Sequence, residues 1–191
     1  MENKDTIIIK VIAENFVLRH SNITDLNKML DLYKCVAGSE NGLATTKEEM
    51  DEEYISEFLG KSLKTGLSLV IEDTRSKEIV AEIHAYKLPQ KVLSHLLSEL
   101  TIVVHPDYQG KGFGKEIFST FLSIVEKARP EIMRVELLAR ESSKKAISFY
   151  ESLGFKIEGR FEHRIAAFTG GYEADIFMVW FNPGFREMLQ S

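Results

Sequence analysis

The sequence predicts an α/β or α+β fold in which a mixed sheet carries helices on both faces. Three observations lead there. Apolar, β-branched runs of strand length recur along the 191 residues. Four stretches with apolar residues at helical spacing fall between them, two early and two late. Residues 100–138 read as strand, helix and strand, a unit whose crossover should be right-handed.

Taken in order, residues 6–11 and 14–19 read as one or two early strands. Thr24 is placed to cap a helix whose stripe is Leu26, Met29, Leu30, Tyr33, Val36 and Ala37, with Gly38 ending it. Residues 38–45 are a polar loop. Thr46 to Glu49 has the form of a capping box. Met50, Tyr54, Phe58 and Leu59 then define a second helix to about Leu63. Gly66 opens a strand over 67–72, residues 73–77 turn, and 78–87 return as a hairpin. Residues 88–98 read as a loop with a short helix near 92–97. A buried strand follows over 100–104, and Pro106 stops it. Ile117, Phe118, Phe121, Leu122 and Val125 mark the third helix, which ends near Arg129 and Pro130, before a strand over 132–139. Ser142 and Ser143 precede a fourth helix that Gly154 closes. A strand begins over 155–159, and two longer strands over about 160–168 and 173–181 flank the turn at 169–172. The tail, 182–191, reads as loosely packed or as part of an interface.

Length is that of one domain, 1–191, with a core of about 14–181. Neither composition nor pattern gives repeats, low-complexity segments or a linker. A net charge of -5 without a basic block argues against a nucleic-acid partner. No apolar run approaches the length of a membrane-spanning helix. The N-terminus is too short and too acidic for a signal peptide, so no membrane partner is expected. One cysteine, Cys35, excludes an internal disulfide and suits a reducing cytoplasm. No His, Cys or Asp cluster has ligand spacing, so no metal is expected.

The most informative stretch is 103–115. A strand runs into His105 and Pro106, then into Gly110, Gly112 and Gly114, and then into a helix. Glycine there permits left-handed dihedrals and close approach, and free amides at a helix start favour an anion. The P-loop pattern fails, because Gln109 stands where its first glycine belongs and Glu116 where Ser or Thr belongs. The dinucleotide fingerprint fails too, since its last glycine would fall on Lys115 or Ile117. Gln109-x-x-Gly112-x-Gly114 resembles the pyrophosphate loop of the GCN5-related N-acetyltransferase (GNAT) superfamily. A second stretch, from Ser143 through Ala146, Phe149 and Tyr150 to Leu153-Gly154-Phe155, is similar to that family's Asn-x-x-Ala-x-x-(Leu/Phe)-Tyr-x-x-x-Gly-Phe. The likeness covers most of 14–181. Residues 158–160 and 171–175 are similar to its amino-terminal and small-amine acetyltransferases.

The resemblance implies a GNAT-like acyltransferase fold with a mostly antiparallel sheet of about seven strands, and an enzyme using acetyl-CoA as co-substrate. It implies that the backbone of Ile102, Val103 and Val104 meets the pantetheine. By the same resemblance, the amides of Gln109, Gly110, Lys111, Gly112, Phe113, Gly114 and Lys115 would hold the pyrophosphate. Lys111 or Lys115 either adds charge there or is simply solvated. Tyr150 matches the tyrosine near the thioester sulfur, where a phenol that stays protonated can serve as acid. The reading with no chemistry is a ring that fills a helix face beside Phe149. Ser143 replaces the family's asparagine and reads as a helix cap first, a pantetheine contact second. Some family members place a glutamate where this chain has Leu138. Glu136, two residues back on the same strand face, and Glu99 are therefore level candidates for the general base, with Glu82 behind them; each reads equally as a solvated strand-edge carboxylate. His105 reads as structural. His163 reads as a cleft residue or a surface one. Cys35 reads as a small buried hydrophobe, which favours direct attack on the thioester over a cysteine intermediate. A backbone amide near Val104 would stabilise the oxyanion. The acceptor, a small-molecule amine or a protein or peptide amine, would be lined by 38–46, 88–98 and 160–172. A non-catalytic acyl-CoA sensor and a transferase for a longer acyl group are the alternatives. Sheet edges and the apolar run 177–181 are compatible with a homodimer.

Overall fold

The structure, a computed structural model, describes residues 7–37, 45–167 and 170–187. Eight strands and four helices lie among them. The chain forms two compact units, one from residues 1–86 and 101–121, the other from 87–100 and 122–191.

In the first unit, β1 (Ile8–Ala13), β2 (Phe16–His20), β3 (Leu67–Asp73) and β4 (Ile79–Tyr86) pair in sequence, all antiparallel. The two early runs are separate strands, which raises the count from about seven to eight. β3 and β4 are buried on both faces, so they read as apolar runs rather than alternations. α1 (Leu26–Val36) and α2 (Glu52–Thr65) pack on them. Met29, Tyr33, Met50, Ile55, Phe58 and Leu59 form the core with Val70, Ile79 and Val103.

The helix starts differ from the sequence reading by a few residues. Asn22, not Thr24, opens the first helical region: its Oδ1 accepts the Thr24 amide, and Asp25 returns to the Asn22 amide. Of the box at 46–49 the Glu49 half forms, with Thr46 N–H donating to Glu49 Oε2 at 2.7 Å, and it closes a turn ahead of α2. Asp51 caps α2, accepting from Tyr54 N–H at 2.8 Å. The expected helix end at Gly38 and most of the loop 38–45 lie outside the described residues.

In the second unit, β5 (Leu96–Val104) pairs with β6 (Arg134–Arg140) in parallel, at Leu96 with Arg134 and Leu97 with Val135. β6 and β7 (Lys156–Ala166) both pair antiparallel with β8 (Tyr172–Phe181). The residues of β5 from Thr101 on belong to the first unit. The strand order is β1-β2-β3-β4-β5-β6-β8-β7, a mixed and mostly antiparallel sheet. β5 starts four residues before the expected strand, because 88–98 holds a 3-10 turn at Lys91–Leu93 and then extended chain. α3 (Phe113–Ala128) and α4 (Lys144–Ser152) complete the set. On β6, Val135, Leu137 and Ala139 are buried opposite Trp180, Met178 and Ile176. The tail is not loose through Arg186: Asn182 Nδ2 donates to Ile132 O at 2.8 Å, and Arg186 N–H donates to Pro130 O at 2.9 Å.

A buried ion cluster ties β2 and β3 to the start of α1. Arg19, 2% exposed, grips Asp25 through two nitrogens at 2.7 and 2.8 Å and meets Glu72 at 2.5 Å. Removing the cation would strand two buried carboxylates. Arg19→Leu should lose about 3–5 kcal/mol in denaturant unfolding. Lys10→Ala, which breaks the exposed pair with Glu116, should cost under about 1 kcal/mol. A loss below about 1 kcal/mol for Arg19→Leu would contradict the role given to the cluster.

Candidate active site

The loop expected to bind an anion is built by local hydrogen bonds. Val104 ends β5, and His105 N–H then donates to Val80 O on β4 at 2.9 Å. Pro106 opens a 3-10 turn, Pro106–Tyr108, where its missing N–H costs nothing. The Asp107 amide donates to His105 Nδ1 at 3.2 Å, and the Tyr108 amide to His105 O at 2.8 Å. His105 is therefore structural in this turn. Gln109 closes it, its Nε2 donating to Val104 O at 3.1 Å.

Beyond this clamp, Gly110 and Gly112 take φ of 72° and 88°, a region costly for other residues. A Cβ at either would meet nothing within 4 Å, so conformation sets the requirement and space beside the backbone is open. Gly114 needs no special dihedral. It lies in the first turn of α3, where a Cβ would come within 3.5 Å of Val104 Cγ2. The first N–H groups of α3 have no intrahelical acceptor and sit at the positive end of its dipole. An open backbone cradle ahead of a sixteen-residue helix suits a pyrophosphate. Lys111 holds its Nζ 5.0 Å above the Tyr108 ring, which stacks on Phe113. Lys115 is exposed. Of the strand residues, Val103 is buried in the core, while Ile102 and Val104 are half-buried.

Tyr150 lies on α4 in the second unit. Gly154, at φ 95°, ends that helix: its amide donates to Glu151 O, and the Phe155 amide to Tyr150 O at 3.1 Å. This fixes the turn that carries Tyr150, whose ring lies between Phe149 and Phe155 at 5.7 and 6.1 Å. Burial pushes the phenol up to about 12. Ser143 stands at the N-cap of α4, but its side chain makes no capping hydrogen bond, which corrects the expected cap. The Ser142 side chain and amide, helped by Arg140, hold the neighbouring Glu173 carboxyl below its usual range against burial.

The carboxylates fall in three different settings. Glu136 shares the expected strand face with Leu138 and forms an ion pair with Arg134 at 2.8 Å, with the Nε–H not aligned on the carboxylate. Arg134 also meets Glu158 at 2.7 Å and lies over Phe177 and Phe181. Glu99 is exposed and takes a left-handed φ of 55° within β5, an unusual backbone for a non-glycine residue. Glu82 is not a solvated edge carboxylate. It is fully buried and accepts from Tyr33 Oη at 2.7 Å and Ser68 Oγ at 3.0 Å, with His84 Nδ1 at 3.1 Å. Sequence reasoning passed over His84. Its signal was a Glu and a His two apart in an otherwise apolar strand, hence on one face.

Two further readings change. Cys35 is exposed rather than buried, with Sγ 3.4 Å from His105 Nε2. His163 is exposed at φ 55°, within a register break of β7 between Phe161 and Ile165. Among the described residues no group of three His, Cys, Asp or Glu side chains could hold a metal ion.

The family model described as an acetyltransferase (GNAT) domain matches residues 64–157, the stretch that holds the loop and Tyr150. Curated protein sequences give no match. Solved structures share the fold. The ribosomal-protein-S18-alanine N-acetyltransferase of Escherichia coli is 21% identical, with a TM-score of 0.72, covering 92% of this chain and 99% of its own. A putative acetyltransferase from Salmonella typhimurium with its cofactor acetyl-CoA is 16% identical, at TM-score 0.74 and coverages of 93% and 98%. A spermidine N-acetyltransferase mutant from Vibrio cholerae is 18% identical, at TM-score 0.66 and coverages of 89% and 95%. Residues 64–157 thus match a GNAT acetyltransferase domain, and the chain has the fold of these acetyltransferase structures.

The raised Tyr150 phenol has a measurable consequence. The folded protein keeps this proton to about pH 12, whereas the unfolded chain releases it near 10. Its contribution to stability is therefore full below about pH 10 and is lost as pH rises towards 12. The unfolding free energy of the wild type should fall more steeply than that of Tyr150→Phe across this interval. Parallel curves would contradict the burial of the hydroxyl.

Proposed function

We propose that this protein is an N-acetyltransferase that moves the acetyl group of acetyl-CoA to a primary amine by direct attack. The observation that carries this is the clamped turn whose Gly110 and Gly112, both at positive φ, lead into the amino end of α3. The family match and the acetyl-CoA named with one structural neighbour support the same reading. The chain acts as a single domain. Neighbours named for a ribosomal-protein alanine and for spermidine support an amine acceptor, from a protein terminus or a small molecule. Among the described residues no helix is long and apolar enough to cross a membrane. We place the protein in the cytoplasm on its cysteine usage.

The amides of residues 110–115 bind the pyrophosphate, the Gln109 amide being held by Pro106 O at 3.2 Å, and Lys111 or Lys115 adds charge. The backbone of Ile102, Val103 and Val104 pairs with the pantetheine, with Ser143 as a further polar contact. Acetyl-CoA supplies an activated carbonyl and a thiol leaving group. An amide near Val104 faces the developing oxyanion. Tyr150 donates its proton to the departing sulfur, and its raised phenol ensures that the proton is present at neutral pH. Glu99 and Glu136 are the carboxylate candidates for the base, Glu136 lying in an ion pair with Arg134.

Thiol release should be followed with a panel of peptide N-termini and polyamines. Tyr150→Phe should lower kcat about 10²–10³-fold while its acetyl-CoA affinity stays that of the wild type. Full activity in the variant would remove the acid role. Wild-type binding of acetyl-CoA without thiol release from any amine would overturn the transfer and leave a binding module.

A further inference from the structure

His84 and Glu82 form a buried acid–base pair that no step above uses. Both lie on one face of β4, with Val80 before them and Tyr86 after. Exposure grows along that face, from Glu82 at 0% through His84 at 3% to half-buried Tyr86. Replacing such polar core groups with packed hydrophobes is often neutral or stabilising, so stability alone gives them little reason to be there. Glu82 accepts from the Tyr33 and Ser68 hydroxyls, and Ser68 in turn meets Ser21 Oγ at 2.7 Å. His84 Nδ1 is 3.1 and 3.2 Å from the two carboxylate oxygens and 3.3 Å from Tyr33 Oη.

A carboxylate facing Nδ1 places the ring proton there and leaves the lone pair on Nε2. The ring plane is fixed as well. Phe58 stacks on it at 4.0 Å and 7°, and Tyr86 lies parallel at 6.2 Å and 3°. An imidazole oriented by a buried carboxylate at one nitrogen, with the other turned away from it, is the arrangement in which histidine serves as a general base. Among the described residues, further charged or titratable groups around it include Tyr33 on α1, Tyr54 beside Tyr33, and Lys61 on α2 with Nζ 5.3 Å from the Tyr86 ring. β4 lies beside β5 in the sheet, and His105 N–H joins it at Val80 O, next to the end of β5 to which the pantetheine is assigned above.

We propose that His84, positioned by Glu82, is the base that deprotonates the acceptor amine, directly or across one water. The proposal rests on the acetyl-transfer reading. The acceptor ammonium gives one proton to Nε2, and its nitrogen lone pair bonds to the thioester carbon. The C–S bond breaks, and the sulfur takes a proton from Tyr150, which regains one from solvent. The new amide sheds its second proton, so each turnover releases one proton overall.

The test is the pH profile of kcat/KM for the full chain and for His84→Asn. Asparagine keeps an N–H for Glu82 and removes the base. The variant should fall about 10²–10³-fold at neutral pH, lose the acid limb of the profile, and bind acetyl-CoA like the wild type. A variant within about threefold of wild type with an unchanged acid limb would overturn the assignment. Should the variant not fold, nitrogen-15 imidazole spectra of the wild type decide. A proton on Nδ1 supports the base, and a proton on Nε2 overturns it. Absent acetyl-CoA binding in the wild type would instead sink the transfer reading, which separates the two failures.

Discussion

A turn that must hold its shape while leaving backbone amides without protein partners sets the main constraint on this chain. Unpaired N–H groups are costly unless water or a ligand takes them, so the rest of the turn must be over-determined. It is clamped from three sides: His105 N–H on Val80 O, Asp107 N–H on His105 Nδ1, and Gln109 Nε2 on Val104 O. The clamp in turn needs β4 and the end of β5 to be rigid. That rigidity comes from the core of α1 and α2 packed on β3 and β4, and from Arg19 holding Asp25 and Glu72.

Much of the fold was legible because its signals are local. The hairpin of β3 and β4, the helix after the loop and the Gly154 stop each depend on residues within one turn or strand. The glycine loop was legible for the same reason: Gly110 and Gly112 stand where only glycine takes the dihedral readily. Tyr150 was found by its offset from Gly154, and the structure gives that offset a cause, since the helix end hangs on the Tyr150 carbonyl.

What the sequence hid depends on partners far along the chain. Glu82 looks like an edge carboxylate until β4 is seen to be buried on both faces, with Tyr33, 49 positions away, donating to it. Cys35 reads as core by its place on an apolar helix, and only the position of His105, 70 residues on, shows where the sulfur lies. Ser143 has the right residue type for a cap, yet its side chain makes no such bond. Glu136 is paired with Arg134, a neighbour on its own strand whose side chain also serves Glu158. In each case residue type was readable and the competing partner was not.

Calorimetric titration with acetyl-CoA tests the central claim most directly, with the wild type set beside Gly112→Asp and Gly112→Asn. Both substitutions impose the same left-handed strain at φ 88°, but only Asp turns a carboxylate towards the pyrophosphate. The expected result is binding by the wild type, weaker binding by the Asn variant and none by the Asp variant. No binding to the wild type, or equal binding to all three, would contradict the assignment of this loop as the cofactor site.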